Sequence, residues 1–406
     1  MRAKCSLLGT MVLLTFCSVI ILHQLAIAGG NRSVRLNNYN NWGCFTTPRT
    51  STDEAIALAA QRDNVVITEK WPFDAAERIK KVNPRAKVYM YYALCVKNIT
   101  DDDSMNHAQM LTPVRRTKIE SNDWWLRDGA GETIKETNAT LLLDVGKPGF
   151  KEEYLKDVLA GLAIHKVDGV VFDYWLPHPW SLSYVKKHAA GKYTNDTWFE
   201  EAWQPYVRYV TNGCRAAGYR VIGNSAGILD SGSKFMDWQR TNVDGVIYER
   251  WSVNWADKGG GWLPPAIVEQ NIRGFNLDTK ESWTADHGLR ADDPMVQQEK
   301  VLSLAMYYVA VPESPSARRS FGYYGSRGQF WDPLWDFYIG KPLGSPIKSN
   351  GEYFWSRKFS QGLVLLNYDN HDISYTLDGK YHDSSGTEYS GDITVSSHSG
   401  LILAQS

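Results

Sequence analysis

Along most of the chain, short apolar, β-branched and aromatic runs alternate with stretches whose apolar positions recur every three or four residues. "VRLNNYN" (34–40), "NVVITEKW" (64–71) and "AKVYMYYAL" (86–94) read as three strands, with helices over 50–63 and 73–84 between them. The strands are near-continuous in apolar character, as expected where helices cover a parallel sheet. A helix over 151–166 feeds "DGVVFD" (168–173), one over 198–218 feeds "YRVIGNS" (219–225), and "DGVIYE" (244–249) follows as a sixth strand. A seventh falls near "TKESW" (279–283), and a helix over 293–311 precedes an eighth, "SFGYYG" (320–325). Eight such units predict a (β/α)8 TIM barrel over 31–339 rather than an open doubly wound sheet.

Two departures from this rhythm stand out. Residues 95–141 form a long insertion rich in Asp, Asn and Arg, carrying "DWWLRDGAGE"; a loop of that length is usually functional or locally structured. From about residue 340 short alternating strands separated by turn pairs replace the helical pattern, predicting a small antiparallel, sandwich-like β domain over 340–406.

The first 28 residues read as a signal peptide: Arg2 and Lys4, an apolar run from Leu7 to Leu22, then Ala26-Ile27-Ala28 before the cut. The expected location is secreted or extracytoplasmic, with a signal-anchored form as the alternative and no stable membrane span after cleavage.

Composition removes several function classes. Formal net charge is −1 over 406 residues, without the basic excess of a nucleic-acid binder. The first βα turn lacks a G-x-G-x-x-G cradle, so no dinucleotide cofactor is expected. The histidines are scattered and the cysteines widely spaced, so no metal site is expected either. Sixteen Trp and twenty-two Tyr are many for this length, and flat amphipathic rings suit stacking on sugars as well as core packing.

The chemistry is concentrated in a phrase that occurs twice, "VDGVVFDYW" (167–175) and "VDGVIYERW" (243–251). The Asp-Gly pairs fall where helix hands over to strand, a structural position. Asp173 and Glu249 fall five residues later, at the strand ends from which barrel active sites are built. Side chains alternate along a strand, so Gly169, Val171 and Asp173 share one face, as do Gly245, Ile247 and Glu249. On strands four and six the two acids face each other across the barrel mouth. A matched pair of carboxylates surrounded by aromatics suits glycoside hydrolysis, in which one acid attacks or activates water and the other protonates the leaving oxygen. Candidate substrate-binding residues at the strand ends are Tyr39, Lys70, Trp71, Tyr92 (beside Tyr91), Asn224 and Tyr323, with Trp175 and Trp251 two residues beyond each acid.

These two phrases, with "LLLDVGKPGFKEEYLKDVL" (141–159) and the "GKPLG" and "GLVLLN" segments of the tail, resemble the hypothetical glycoside hydrolase family 15 and its relatives. Among those relatives is family 114, the endo-α-1,4-polygalactosaminidases. The resemblance covers about Val34 to the end and implies a barrel hydrolase acting on an oligo- or polysaccharide. It also implies Asp173 as nucleophile and Glu249 as general acid/base of a retaining mechanism. The insertion at 95–141 and the bulky "DYWLPHPW" after strand four depart from the family pattern and bear on substrate choice. The competing reading is a barrel-shaped carbohydrate-binding protein without catalysis, against which the intact Asp/Glu pair stands.

Overall fold

The computed structural model describes residues 37–39, 53–69, 71–98, 112–135, 140–175, 193, 197–226, 238–254, 261–288, 295–314, 316–325, 332–349 and 352–406. Residues 1–28, expected to be a signal peptide, and Lys70 lie outside the described residues.

One curled parallel sheet makes the barrel. Its strands are β1 (Asn37–Tyr39), β2 (Asn64–Ile67), β3 (Lys87–Ala93), β6 (Gly169–Asp173), β7 (Arg220–Ala226), β8 (Gly245–Glu249), β9 (Glu281–Gly288) and β10 (Arg319–Ser320), paired in that order. β11 (Tyr323–Gly325) continues the eighth position along β9 after a break. At the lower end Asn64 Nδ2 donates to Ser320 Oγ at 2.9 Å, linking β2 at one side of the sheet with β10 at the other. Around it run α1 (Asp53–Ala60), α2 (Ala75–Val82), α4 (Phe150–His165), α5 (Gln204–Ala216), α6 (Pro265–Leu277) and α7 (Met295–Ala310). Of these, α6 has no counterpart in the sequence reading, because its two opening prolines resemble a loop; Pro265 at the helix start is in fact favourable.

The described part of the 95–141 insertion carries secondary structure of its own. β4 (Val96–Asn98) pairs antiparallel with β5 (Thr140–Leu142), and α3 (Arg116–Ser121) leads into Trp124 and Trp125, both buried.

The repeated Asp-Gly phrase has a specific structural cause. Asp168 N donates to Val88 O at 2.7 Å while Asp168 Oδ2 accepts from Val88 N at 2.9 Å. Asp244 N and Oδ2 make the same pair with Val221 O and N, at 2.7 and 2.9 Å. Each Asp thus continues the sheet ladder with its side chain where its own strand begins. The glycines are there for space. A Cβ on Gly169 would stand 2.3 Å from Arg220 O, and one on Gly245 would stand 2.9 Å from Glu281 O.

The interior of the barrel is filled by Val66, Tyr89, Tyr91, Val171, Ile222, Ile247, Trp283 and Ala285. Phe172 and Tyr248, of opposite parity, point to the helices.

The C-terminal antiparallel part comprises β12 (Ile347–Lys348), β13 (Phe354–Phe359), β14 (Gly362–Asn367), β15 (Ile373–Thr376), β16 (Tyr381–His382), β17 (Glu388–Tyr389), β18 (Asp392–Val395) and β19 (Ser399–Gln405). One sheet runs β12-β13-β14-β19-β16-β17, and β15 pairs with β18. Its inner face, with Phe354, Leu363, Leu365 and Leu403, forms a separate core. Its other face lies on α7, so closely that a Cβ on Gly400 would be 2.5 Å from that of Ala305. Arg357 finishes the junction by donating to the carbonyls of Tyr308 and Val309 at 3.0 and 2.9 Å, the orphan acceptors at the helix end.

Candidate active site

Asp173 ends β6 and Glu249 ends β8, with β7 between them. Because Val171 pairs with Ile222 and Ile222 with Gly245, the interior parity carries from strand to strand. Asn224, two residues beyond Ile222, therefore lies between the acids. Its Nδ2 donates to Asp173 Oδ1 at 3.0 Å and to Glu249 Oε2 at 2.9 Å. One amide group spends both of its protons on the two carboxylates.

Asp173 is the better buried and the better held. Tyr91 Oη donates to its Oδ2 at 2.6 Å, and the backbone N–H of Tyr174 donates to Oδ1 at 2.6 Å. Tyr91 reaches it because β3 pairs with β6 in register, Tyr91 opposite Val171 and Ala93 opposite Asp173. Burial and the adjacent carboxylate push the Tyr91 phenol well above its ordinary range, so it remains a donor. Burial raises Asp173, while the Tyr91, Tyr174 and Asn224 donors pull it back. Glu249 is raised to about 7, first by burial and then by the negative charge of Asp173; Asn224 and Arg250 oppose the shift. Two like charges so close favour a pair carrying one proton, which rests on the less well supported Glu249.

The backbone leaves both strands in the same way. Tyr174 and Arg250, the residues directly after the acids, both have φ of 55°. The left-handed conformation costs a non-glycine residue about 1–2 kcal/mol. What holds each kink is the Trp that follows. Trp175 is buried with Nε1 on Phe172 O at 2.8 Å, and Trp251 is buried with Nε1 on Ser303 O at 3.2 Å. Both expected sugar platforms are thus corrected: the reversal of hand turns these rings into the layer between sheet and helices, where no face meets solvent.

Tyr92 is corrected for a simpler reason. It has the wrong parity, is fully buried, and donates to the buried carboxylate of Glu69 on the helix side of β3. Trp71 is buried in the same outer core. Tyr323 is buried, and its phenol donates to Glu299 on α7 at 3.4 Å. Tyr39 lies on β1, its side chain outside the described residues, and Lys70 lies outside them altogether.

The loop after Glu249 is fastened from two directions that the sequence did not suggest. Asp286 on β9, fully buried, accepts from Ser252 N at 3.0 and 2.9 Å, from Ser252 Oγ at 2.5 Å and from Ser303 Oγ at 2.7 Å. From the C-terminal sheet, Tyr368 Oη donates to Ser252 O at 2.6 Å. His398 lies flat on Trp262, ring centroids 4.8 Å apart and 7° between planes, next to Tyr368. Among the described residues, no three His, Cys, Asp or Glu side chains are grouped as metal ligands. No described helix is long and apolar enough to cross a membrane.

With this geometry in place, the comparisons with known proteins give the family. The model of hypothetical glycosyl hydrolase family 15 matches residues 80–363, and the chain belongs to that family. None of the curated proteins matches it. Among solved structures it is similar to an α-amylase from Malbranchea cinnamomea, 11% identical over 92% of this chain and 96% of that one, TM-score 0.48. A dextranase from Flavobacterium johnsoniae complexed with glucose is 11% identical over 92% and 52%, TM-score 0.47. An α-amylase from Geobacillus thermoleovorans complexed with acarbose is 9% identical over 91% and 98%, TM-score 0.46. The protein is a glycoside hydrolase with a TIM barrel and a C-terminal antiparallel β part.

Proposed function

We propose that this family member cleaves an oligo- or polysaccharide outside the cytoplasm with net retention, Asp173 acting as nucleophile and Glu249 as general acid/base. The observation that carries the reading is the Asn224 amide shared by the two carboxylates. Two hydrogen bonds of 3.0 and 2.9 Å from one nitrogen keep the accepting oxygens within about 5.9 Å, and nearer about 5 Å at the ~120° between amide protons. That spacing suits direct attack by a carboxylate, at about 5–5.5 Å between groups, better than the roughly 6.5–9.5 Å that leaves room for an interposed water.

The steps follow from the protonation order. Ionised Asp173, steadied by Tyr91 and Asn224, attacks the anomeric carbon as the glycosidic C–O bond breaks. Glu249, with its proton held up to about 7, gives that proton to the departing oxygen. The covalent glycosyl-Asp173 ester forms and Glu249 is left as carboxylate. It then takes a proton from water as the water oxygen attacks the anomeric carbon, which releases Asp173 and restores the protonated Glu249.

The test is reducing-end release from a panel of microbial and plant polysaccharides, galactosamine-containing exopolysaccharides included, by the chain lacking residues 1–28. An Asp173→Asn protein runs alongside. Release by wild type alone is expected, with the product anomer, read by proton NMR before mutarotation, matching the substrate. Glycan binding that is equal in both proteins with no release by either overturns the reading in favour of a binding protein.

A further inference from the structure

The two carboxylates are not held alike. Asp173 accepts from Tyr91 Oη, Tyr174 N and Asn224 Nδ2, whereas among the described residues Asn224 alone donates to the carboxylate of Glu249. A group that must keep a proton near neutral pH cannot be fixed by many donors, because each donor favours the ionised form. Its direction has to come from the backbone that carries it.

The turns that follow the two strands differ in the same sense. The turn after Asp173 is closed from nearby: Leu94 N donates to Asp173 O at 3.0 Å, and Trp175 Nε1 donates to Phe172 O at 2.8 Å. The turn after Glu249 is held from four other elements. Asn271 on α6 donates to Trp251 O at 3.1 Å, and Ser303 O on α7 accepts from Trp251 Nε1 at 3.2 Å. Tyr368 Oη reaches Ser252 O from the C-terminal sheet, and Asp286 on β9 accepts from both Ser252 N and Ser252 Oγ.

Asp286 is the centre of this arrangement. Glu249 pairs with Ala285 in the ladder between β8 and β9, so Asp286 is the next residue along. Where β8 leaves the ladder at the left-handed Arg250, the Asp286 carboxylate reaches Ser252 N in place of a backbone partner. Ser303 Oγ donates to the same carboxylate at 2.7 Å. Three donors converge on a fully buried group, which an ionised carboxylate, accepting on both oxygens, can satisfy.

We infer that Asp286 is the positioning residue of the general acid/base. Through Ser252 it fixes the turn at which β8 ends, and with it the direction in which the Glu249 carboxyl meets the leaving oxygen. The inference rests on the proposed roles of Asp173 and Glu249.

The test compares substrates that need an acid with substrates that do not. Hexasaccharides of glucose, galactosamine and galacturonic acid need the proton of Glu249, and 2,4-dinitrophenyl glycosides of the corresponding trisaccharides do not. Asp286→Asn keeps the size of the side chain and turns one acceptor into a donor. Its kcat/KM is expected to fall about 100-fold on the hexasaccharide that wild type cleaves and less than about threefold on the aryl glycoside. Azide, which attacks the anomeric carbon and displaces Asp173 without needing a base, should raise aryl glycoside turnover by the variant and give a glycosyl azide of retained configuration. Ser303→Ala takes one donor from Asp286 and leaves the turn its own contacts; the same split is expected at about threefold. Should Asp286→Asn not fold, this variant decides. An equal loss on both substrates without azide rescue, as a merely structural role would give, overturns the inference, and so does wild-type behaviour. Glu249→Gln separates the two layers. If it shows neither the split nor the rescue, the acid/base assignment fails and this inference with it; if it shows both while Asp286→Asn shows neither, this inference alone fails. A wild type that cleaves none of these substrates counts against both.

Discussion

Tyr91 and Asp173 stand on adjacent barrel strands, and the phenol of the first donates to Oδ2 of the second at 2.6 Å in the buried mouth of the barrel. This bond works against the desolvation that raises Asp173. Tyr91→Phe keeps the ring and removes only the donor. We expect kcat/KM to drop about 10–100-fold, in keeping with the loss of one positioned donor. The sign of the pH effect is fixed: without the donor Asp173 binds its proton more tightly, so the acid limb of the rate profile moves to higher pH. A pH–rate profile of the variant checks both.

In the proposed mechanism Glu249 sets the other limb. With its proton held up to about 7, activity should decline as pH rises through that value, because the acid is lost. Stability follows the same proton. A carboxyl raised above its ordinary value stabilises the fold fully below that ordinary value, and loses the contribution as pH rises through about 7. Melting temperatures from about pH 5 to about pH 8 should fall for wild type and fall less for Glu249→Gln. That variant should also lose turnover by orders of magnitude while still binding glycan.

Asn224→Ala takes a donor from both carboxylates at once. Since the amide lowers both pKa values, both limbs of the profile should shift to higher pH, and kcat should decrease about 10²-fold or more. A shift of one limb only would show that the two acids do not share the amide in solution.

Trp175→Ala and Trp251→Ala separate packing from recognition. Each ring is buried, and truncation should lower stability by about 3–5 kcal/mol in denaturant unfolding. An unchanged unfolding midpoint with a raised KM would return these rings to the substrate.

How much of this was written in the chain depends on how far strand periodicity reaches. The parity that put Asp173 and Glu249 on the inner face holds because both lie within their strands, and the same parity assigns Tyr91 rather than Tyr92 to the mouth once β3 is set in register with β6. Beyond the last strand residue the alternation no longer applies. A left-handed residue at 174 and at 250 leaves no mark in residue type, since Tyr and Arg are not turn formers, and so Trp175 and Trp251 were given the wrong side. The seventh strand was placed near 279–283 and runs instead from Glu281 to Gly288, because Asp286 and His287 interrupt the apolar run that marks its neighbours. Asp286 itself was invisible for that reason: a carboxylate that serves serines on two other elements has no local signature. Tyr368 was further out of reach, its partner Ser252 lying 116 positions away.

That last contact ties events in time as well as in space. During synthesis both carboxylates and Asp286 are delivered long before Tyr368 emerges, so of the two fastenings at Ser252 the one from the C-terminal sheet is the last to arrive. A chain cut short of β14 would carry both candidate carboxylates and Asp286, and lack one of the two clasps on the loop after Glu249. The antiparallel tail is in this sense the last part of the chain to reach the candidate site, and proteolysis there is expected to lower activity without touching either proposed reacting group.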